Sequence, residues 1–163
     1  MKNNWASFVK RISVKADKQK IYESWATTQG IESWFLSKAL FYINGKLKTK
    51  AELIEKGDTY RWHWYGWPDF SEEGKITDTN GRDFFQFTFT GNCLVTVRII
   101  EEAGETLVEL TQENIPPDDD PATNLYVGCG TGWTFYLTNL KSMLEGGIDL
   151  RNKNDALKNV INS

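Results

Sequence analysis

Histidine, the side chain whose ordinary pKa best suits proton transfer near neutral pH, occurs once in this sequence. His63 is the only histidine, and it lies in the segment TYRWHWY, residues 59–65. A histidine serves a hydrolase triad only when a serine or cysteine nucleophile and an acid lie beside it. No spacing in the sequence indicates that arrangement. We therefore expect His63 to be a surface or rim residue, with a general base as the alternative.

The two cysteines, Cys93 and Cys129, are the candidate nucleophiles. A nucleophilic cysteine reacts as its thiolate, whereas a cysteine on an apolar face behaves as a small packing residue. Cys93 falls beside a predicted turn. Cys129 falls on the apolar stripe of a predicted helix, so packing is favoured over nucleophilic chemistry for Cys129. With His63 they make three metal ligands at best, fewer than the four that a structural zinc site uses.

Two short motifs resemble ligand-binding loops without meeting their requirements. The segment GCGTG, residues 128–132, lacks the lysine and Ser/Thr of a phosphate-binding loop, and no buried strand precedes it. Asp118–Asp120 could bind a hard cation, but the EF-hand spacing and its closing glutamate are absent. Helix capping by these acids is the favoured interpretation. The sequence predicts no catalytic residue, no metal site and no cofactor.

Composition excludes several classes of protein. The 163 residues carry a net charge of −3, without the basic excess that nucleic-acid binding requires. No run approaches the ~18 apolar residues of a membrane span, and the first residues do not form the apolar run of a secretory signal, so we expect neither feature. Two isolated cysteines fit a reducing compartment. We expect a cytoplasmic protein of one domain, residues 1–163, with a core of about residues 7–151 and a short tail over 152–163.

The aromatic content is unusual for such a chain, with 7 Trp, 6 Tyr and 9 Phe. That many rings must either fill a large core or line a hole in it. Ten of them lie between Tyr60 and Phe89, and six of those ten fall on one predicted face of a sheet.

Periodicity and capping signals predict the first elements that position these rings. These are a strand over 7–14, a helix capped by Asp17, a helix capped by Thr27 or Thr28, a strand over 39–43, one or two helical turns over 50–56 and a strand over 59–65.

An antiparallel meander is predicted next. Asn80-Gly81 predicts a two-residue hairpin turn that pairs Thr79 with Arg82 and places Ile76 opposite Phe85.

Two further turns connect the following strands. Gly91-Asn92 is expected in a three-residue turn with a bulge near Cys93, because a two-residue turn would bring Arg98 to the apolar face. Ala103-Gly104 predicts a turn that pairs Glu102 with Glu105. That register places the apolar side chains of the two flanking strands on the same face of the sheet.

The last predicted element is a long helix between the start signal Asp118–Pro121 and the stop signal Gly146-Gly147. Its apolar stripe runs from Tyr126 to Leu144. Three glycines within 128–132 cost about 1 kcal/mol each relative to alanine, which indicates an irregular start or a close backbone approach. A short helix is predicted over 155–161.

Three groups of residues form motifs that carry a resemblance. They are IESWF at 31–35, GDTYRW at 57–62, and GWTFYLTNLK at 132–141 with LEGG at 144–147 and DLR at 149–151. With the element order, these motifs resemble the START-like (SRPBCC) superfamily of helix-grip proteins. Within it, the chain is similar to single-domain proteins related to the C-terminal domain of the activator of heat-shock-protein-90 ATPase.

The resemblance implies an α+β helix-grip fold, in which a curved antiparallel sheet wraps around the long C-terminal helix and two short helices follow the first strand. It also implies a cavity between sheet and helix. The expected function is binding of a hydrophobic or amphipathic, lipid-like small molecule there. An interaction protein that assists a chaperone and an enzyme of cyclase or hydrolase type are the alternatives. The residues expected to line the cavity are Trp34, Phe35, Tyr60, Trp62, Trp64, Phe85, Phe87, Phe89, Val97, Leu110, Gln112, Tyr126, Trp133 and Leu137.

Overall fold

The computed structural model describes residues 4–161, which form eight strands and three helices. The strands are β1 (Phe8–Ser13), β2 (Lys38–Ile43), β3 (Lys46–Leu47), β4 (Thr59–His63), β5 (Glu72–Thr79), β6 (Phe84–Phe89), β7 (Cys93–Glu102) and β8 (Glu105–Glu113). The helices are α1 (Lys18–Ala26), α2 (Thr28–Glu32) and α3 (Leu125–Leu144).

The strands form one sheet in the order β1-β8-β7-β6-β5-β4-β2-β3, and every pairing between described strands is antiparallel. Helix α3 packs on the sheet through Trp133, whose ring centroid lies 5.4 Å from that of Phe89 and 6.4 Å from that of Phe87. The α+β helix-grip fold is therefore confirmed. None of the helices among residues 4–161 has the length and apolarity that crossing a membrane requires.

The core lies between the sheet, the two short helices and α3. Trp25 on α1 and Trp34 after α2 are fully buried, with ring centroids 4.6 Å apart. Trp25 also meets Trp133 of α3 at 6.0 Å. Aromatic residues from all three layers thus form one continuous core.

The predicted helix caps near the N-terminus are confirmed. The Asp17 carboxylate accepts hydrogen bonds from two backbone N–H groups of α1, and the Thr27 hydroxyl accepts one from Gly30 of α2. The helical turns predicted over 50–56 are wrong, since this segment contains turns only. Its Ile54 N–H donates instead to the Ala26 carbonyl at 2.7 Å, outside the segment, so it is not available to a local helix.

Two of the three predicted turns of the meander are confirmed. Glu102 pairs with Glu105 around Ala103 and Gly104, both at positive φ. Phe89 pairs with Cys93, which leaves a three-residue loop over 90–92, whereas the bulge predicted near Cys93 is absent because the register of β6 with β7 is unbroken. Arg98 consequently lies on the outer face, where its guanidinium stacks on the Phe84 ring at 4.8 Å.

The Asn80-Gly81 turn is longer than predicted. Thr79 pairs with Phe85 rather than Arg82, and Ile76 pairs with Phe87 rather than Phe85. The cause is the Asn80 side chain, because its Oδ1 accepts hydrogen bonds from three successive N–H groups, those of residues 82–84. A register shift between Ile76 and Asp78 keeps Ile76, Phe85 and Phe87 on the buried face.

Helix α3 starts later than predicted, because its N-cap is Asn124 and not an acid of 118–120. Asp118 accepts from the Asp120 N–H and Asp120 accepts from the Ala122 N–H, so these acids stabilise turns before the helix. The predicted stop is confirmed, with Gly146 at φ 80°. Over 155–161, where a short helix was predicted, there are only isolated turns.

Arg151 fixes the segment after α3 to the end of α2 and the turn that follows it. Its guanidinium donates to the carbonyls of Leu36, Ser33 and Glu32 at 2.9–3.1 Å. It also donates to the Asp149 carboxylate at 2.8 Å. Burial alone would raise the pKa of Asp149, but the hydrogen bonds from Arg151 outweigh it and hold that pKa below its usual range.

Candidate ligand-binding cleft

A cleft of about 620 Å³ lies between the N-terminal half of α3 and the end of the sheet where β4, β5 and β6 meet their loops. It occupies one end of the space between sheet and helix, and the rest of that space is filled by side chains. The fold therefore places an apolar opening where α3 leaves the sheet.

Buried rings form the floor of the cleft. Phe35 and Trp133 are stacked with centroids 5.0 Å apart and are almost fully buried. Phe89 packs on Trp133 at 5.4 Å, and Trp64 meets Phe35 edge-on at 5.6 Å. We call these four residues the floor. Because they pack against one another, the floor has a fixed shape before any ligand arrives.

Exposed apolar side chains form the rim of the cleft. Trp67 is 56% exposed and Phe70 is 49% exposed, both in the loop between β4 and β5. Ile161, from the C-terminal segment, faces them and is 77% exposed. We call these three residues the rim. Apolar groups left in water at the edge of a cavity are the surface that a ligand would cover.

Two glycines of α3 keep the helix side of the cleft open. Gly128 and Gly132 are four residues apart, so they lie on one face of the helix, and both line the cleft. No atom lies within 4 Å of where a Cβ would stand at either position. Gly130 lies on another face, where its Cβ would stand 3.9 Å from the Lys10 side chain. The predicted close backbone approach is therefore absent at Gly128 and Gly132.

Few ionisable groups border the cleft. Burial raises the pKa of Glu72, at the start of β5. Burial also raises the pKa of the Cys129 thiol and raises that of Tyr136 to about 12. The thiol and the phenol are therefore neutral at neutral pH, which disfavours a thiolate nucleophile at Cys129.

Of the residues expected to line the cavity, the structure places the four floor residues in the cleft. Nine others lie in the packed core: Trp34, Tyr60, Trp62, Phe85, Phe87, Val97, Leu110, Gln112 and Leu137. Tyr126 lies outside the cleft and is half-buried against the core, with its ring edge-on to Trp5 and Phe8 at 4.9 and 5.6 Å. Ligand contact remains a prediction for all fourteen.

Two polar side chains among the residues expected to line the cavity form hydrogen bonds within the protein. Gln112 Oε1 accepts from the indole N–H of Trp133 at 2.9 Å. The Tyr60 hydroxyl donates to the Thr88 carbonyl at 2.6 Å. In this structure both bonds stabilise the core beneath the cleft.

The other chemistry candidates lie outside the cleft. His63 ends β4, and Cys93 is buried with its thiol 3.8 Å from the Asn114 carbonyl. Within residues 4–161, no three His, Cys, Asp or Glu side chains come together as a metal site would require.

Sequence reasoning missed the rim and Glu72. Trp67 and Phe70 lie in a loop, where no periodicity marks which side chains face inward. Glu72 could have been found from the alternation in β5, because it shares a face with the buried Ile76.

Comparison with known proteins identifies the family. Residues 15–145 match the family described as "Activator of Hsp90 ATPase homolog 1-like protein". The chain belongs to this family. The resemblance to START-like proteins related to the Hsp90-activator family, drawn from the three groups of motifs, is therefore confirmed. Comparison with curated proteins finds no match.

Several solved structures share the fold of this chain. Protein SSP2350 from Staphylococcus saprophyticus is 21% identical, with a TM-score of 0.68 over 89% of this chain and 96% of its own. The Aha1 dimer from Colwellia psychrerythraea is 20% identical, with a TM-score of 0.66 over 86% and 97%. Protein CV1439 from Chromobacterium violaceum is 15% identical, with a TM-score of 0.61 over 86% and 98%. These likenesses show the fold.

Proposed function

We propose that this protein binds a hydrophobic or amphipathic small molecule in the cleft. The observation that carries the proposal is the combination of a fixed aromatic floor with an exposed apolar rim around about 620 Å³. Ligand sites are typically concave, mostly apolar and largely preformed, with volumes of about 300–1,000 Å³. The cleft meets each of these conditions.

Burial of apolar surface is the main driving force expected for binding. Covering apolar surface contributes roughly 25 cal/mol per Å², before the costs of ordering the ligand and the rim. Trp67 and Phe70 supply much of the surface that a ligand would remove from water. The floor contributes little ordering cost, because its rings already pack on one another.

A neutral, polarity-sensitive dye tests this proposal. Nile red should fluoresce on binding, and Gly132→Leu should abolish most of the signal by filling the cleft. Thr138→Leu adds the same side chain to an exposed position of α3 outside the cleft and should leave binding unchanged. Equal binding by both variants would contradict the proposal. Incubation with a lipid extract followed by native mass spectrometry would then identify the natural ligand by mass.

The family match favours a second candidate, a protein that assists a chaperone. The chaperone would be an Hsp90-type ATPase, as the family description implies. Purified Hsp90 should then be retained by the immobilised protein, and its ATPase rate should rise. Absence of both effects would remove this candidate without affecting the ligand proposal.

A further inference from the structure

Glu72 is a carboxylate without a partner inside an apolar cleft. It stands opposite Trp62 in the sheet and borders the cleft at the start of β5. Its carboxylate forms no hydrogen bond or ion pair with another residue of 4–161, whereas the carboxylate of its neighbour Glu73 pairs with Arg61 on the outer side of the sheet. Half-buried carboxylates usually find a donor, so an unpaired one marks a position where a ligand would supply it.

The charge around the cleft is negative. Glu72 is the only formally charged side chain that lines it, and no lysine, arginine or histidine does so among the described residues. The groups nearest in electrostatic terms are the phenol of Tyr60 and the thiols of Cys93 and Cys129. Burial raises the pKa of all three, so they stay neutral at neutral pH. An anionic ligand head would meet repulsion here and no compensating cation.

Aromatic faces stand beside this carboxylate. Trp64 and Phe70 line the same cleft with ring centroids 6.0 Å apart, and Trp67 lies between them in the loop. Aromatic faces attract cations through their quadrupoles, most strongly for tryptophan. A carboxylate together with several exposed rings is therefore complementary to an alkylated ammonium group.

We propose that the ligand of this cleft is a cationic amphiphile, an apolar molecule whose amine or ammonium group sits at Glu72. The inference rests on the proposed function and adds the charge class of the ligand. The apolar part would cover the floor, and the ammonium group would pair with the carboxylate between the rings of Trp64, Trp67 and Phe70. Fatty acids and other anionic lipids would be excluded.

Three probes with the same ten-carbon chain test the charge class: decyltrimethylammonium, decanol and decanoate, below their micelle concentrations and at about pH 8, where carboxylates are ionised. Each would be measured by displacement of Nile red and by calorimetry. Decyltrimethylammonium should bind about tenfold more tightly than decanol, and decanoate the most weakly. Glu72→Gln should remove that tenfold advantage, about 1.4 kcal/mol, and leave decanol unchanged.

Glu73→Gln is the matched control, because it makes the same charge change one residue away on the outer face. It should leave the affinities for all three probes unchanged. Equal affinities for the cationic and neutral probes would overturn this inference while leaving the proposed function in place. An equal loss in Glu72→Gln and Glu73→Gln would also overturn it, since net charge alone would then explain the preference. Failure of every probe to bind would contradict the proposed function itself.

Discussion

The glycines of α3 allow helix stability and cleft volume to be changed separately. Gly132→Ala places a methyl group on the cleft face, where no atom lies within 4 Å. Gly130→Ala places the same group on another face, at ordinary contact distance from Lys10. The two variants therefore make the same change in helix propensity but differ in whether the cleft narrows.

The expected magnitudes follow from helix propensity and from pocket packing. Replacing glycine by alanine in a helix interior stabilises the fold by about 1 kcal/mol, because the unfolded chain loses conformational freedom. For a chain of this size that raises Tm by about 2–4 °C. An extra methyl group in an apolar pocket costs about 1–3 kcal/mol of binding free energy. Gly132→Ala should therefore lower the affinity for the ligand by about tenfold or more.

Thermal melts and dye titrations on the two variants give the test. Both should raise Tm by a similar amount, and only Gly132→Ala should weaken Nile red binding. A lower Tm in Gly132→Ala would show that this glycine is required by packing and not by the cleft. Equal dye affinity in the two variants would refute the assignment of the cleft as the binding site.

Three further predictions concern the contacts that hold the fold. Asp58→Ala removes the partner of Lys48 in a buried ion pair with an N–O distance of 2.6 Å, and should cost about 3–5 kcal/mol in urea unfolding. Arg151→Ala breaks a buried ion pair and leaves three carbonyls without their donor, and should cost about 3 kcal/mol or more in the same assay. Asp149→Asn should lower Tm at neutral pH but progressively less below about pH 4. The lowered pKa of Asp149 stabilises the fold above the unfolded carboxyl pKa, and this contribution is lost as pH falls through the folded pKa. A constant Tm difference across that range would contradict the last prediction.

Strand registers were predictable where the turn residues and the pattern of apolar side chains indicate the same pairing. Only one register around Ala103 and Gly104 places the apolar side chains of both strands on the same face of the sheet. The structure shows that register. The same reasoning gave the wrong register at Asn80. The Asn80 side chain accepts hydrogen bonds from the backbone N–H groups that follow it, and these bonds lengthen the turn. The same chemistry explains the late start of α3. Asp118 and Asp120 can cap a turn as well as a helix, and the sequence pattern is identical in both cases.

The candidate site was only partly predictable, since a sheet face does not reveal which part of it stays open. Trp62 and Phe87 share a predicted face with Trp64 and Phe89, but only the latter two line the cleft. The difference comes from where α3 crosses the sheet. That position depends on packing between distant elements, as in the contacts of Trp133 with Phe87 and Phe89.

The motifs that identify the family and the residues that would select a ligand are largely separate in this protein. Phe35 and Trp133 belong to the motifs, and they form half of the floor, which also stabilises the fold. Trp67, Phe70 and Glu72 lie outside every motif, in the loop between β4 and β5 and at the start of β5. Membership of the family therefore follows from residues that build the fold. Under the proposed function, ligand choice would depend on Trp67, Phe70 and Glu72, whose side chains are not part of the buried core. Exchanging the segment 67–72 for that of another helix-grip protein, with Trp64 kept in place, should accordingly change the preferred ligand while leaving Tm within a few degrees.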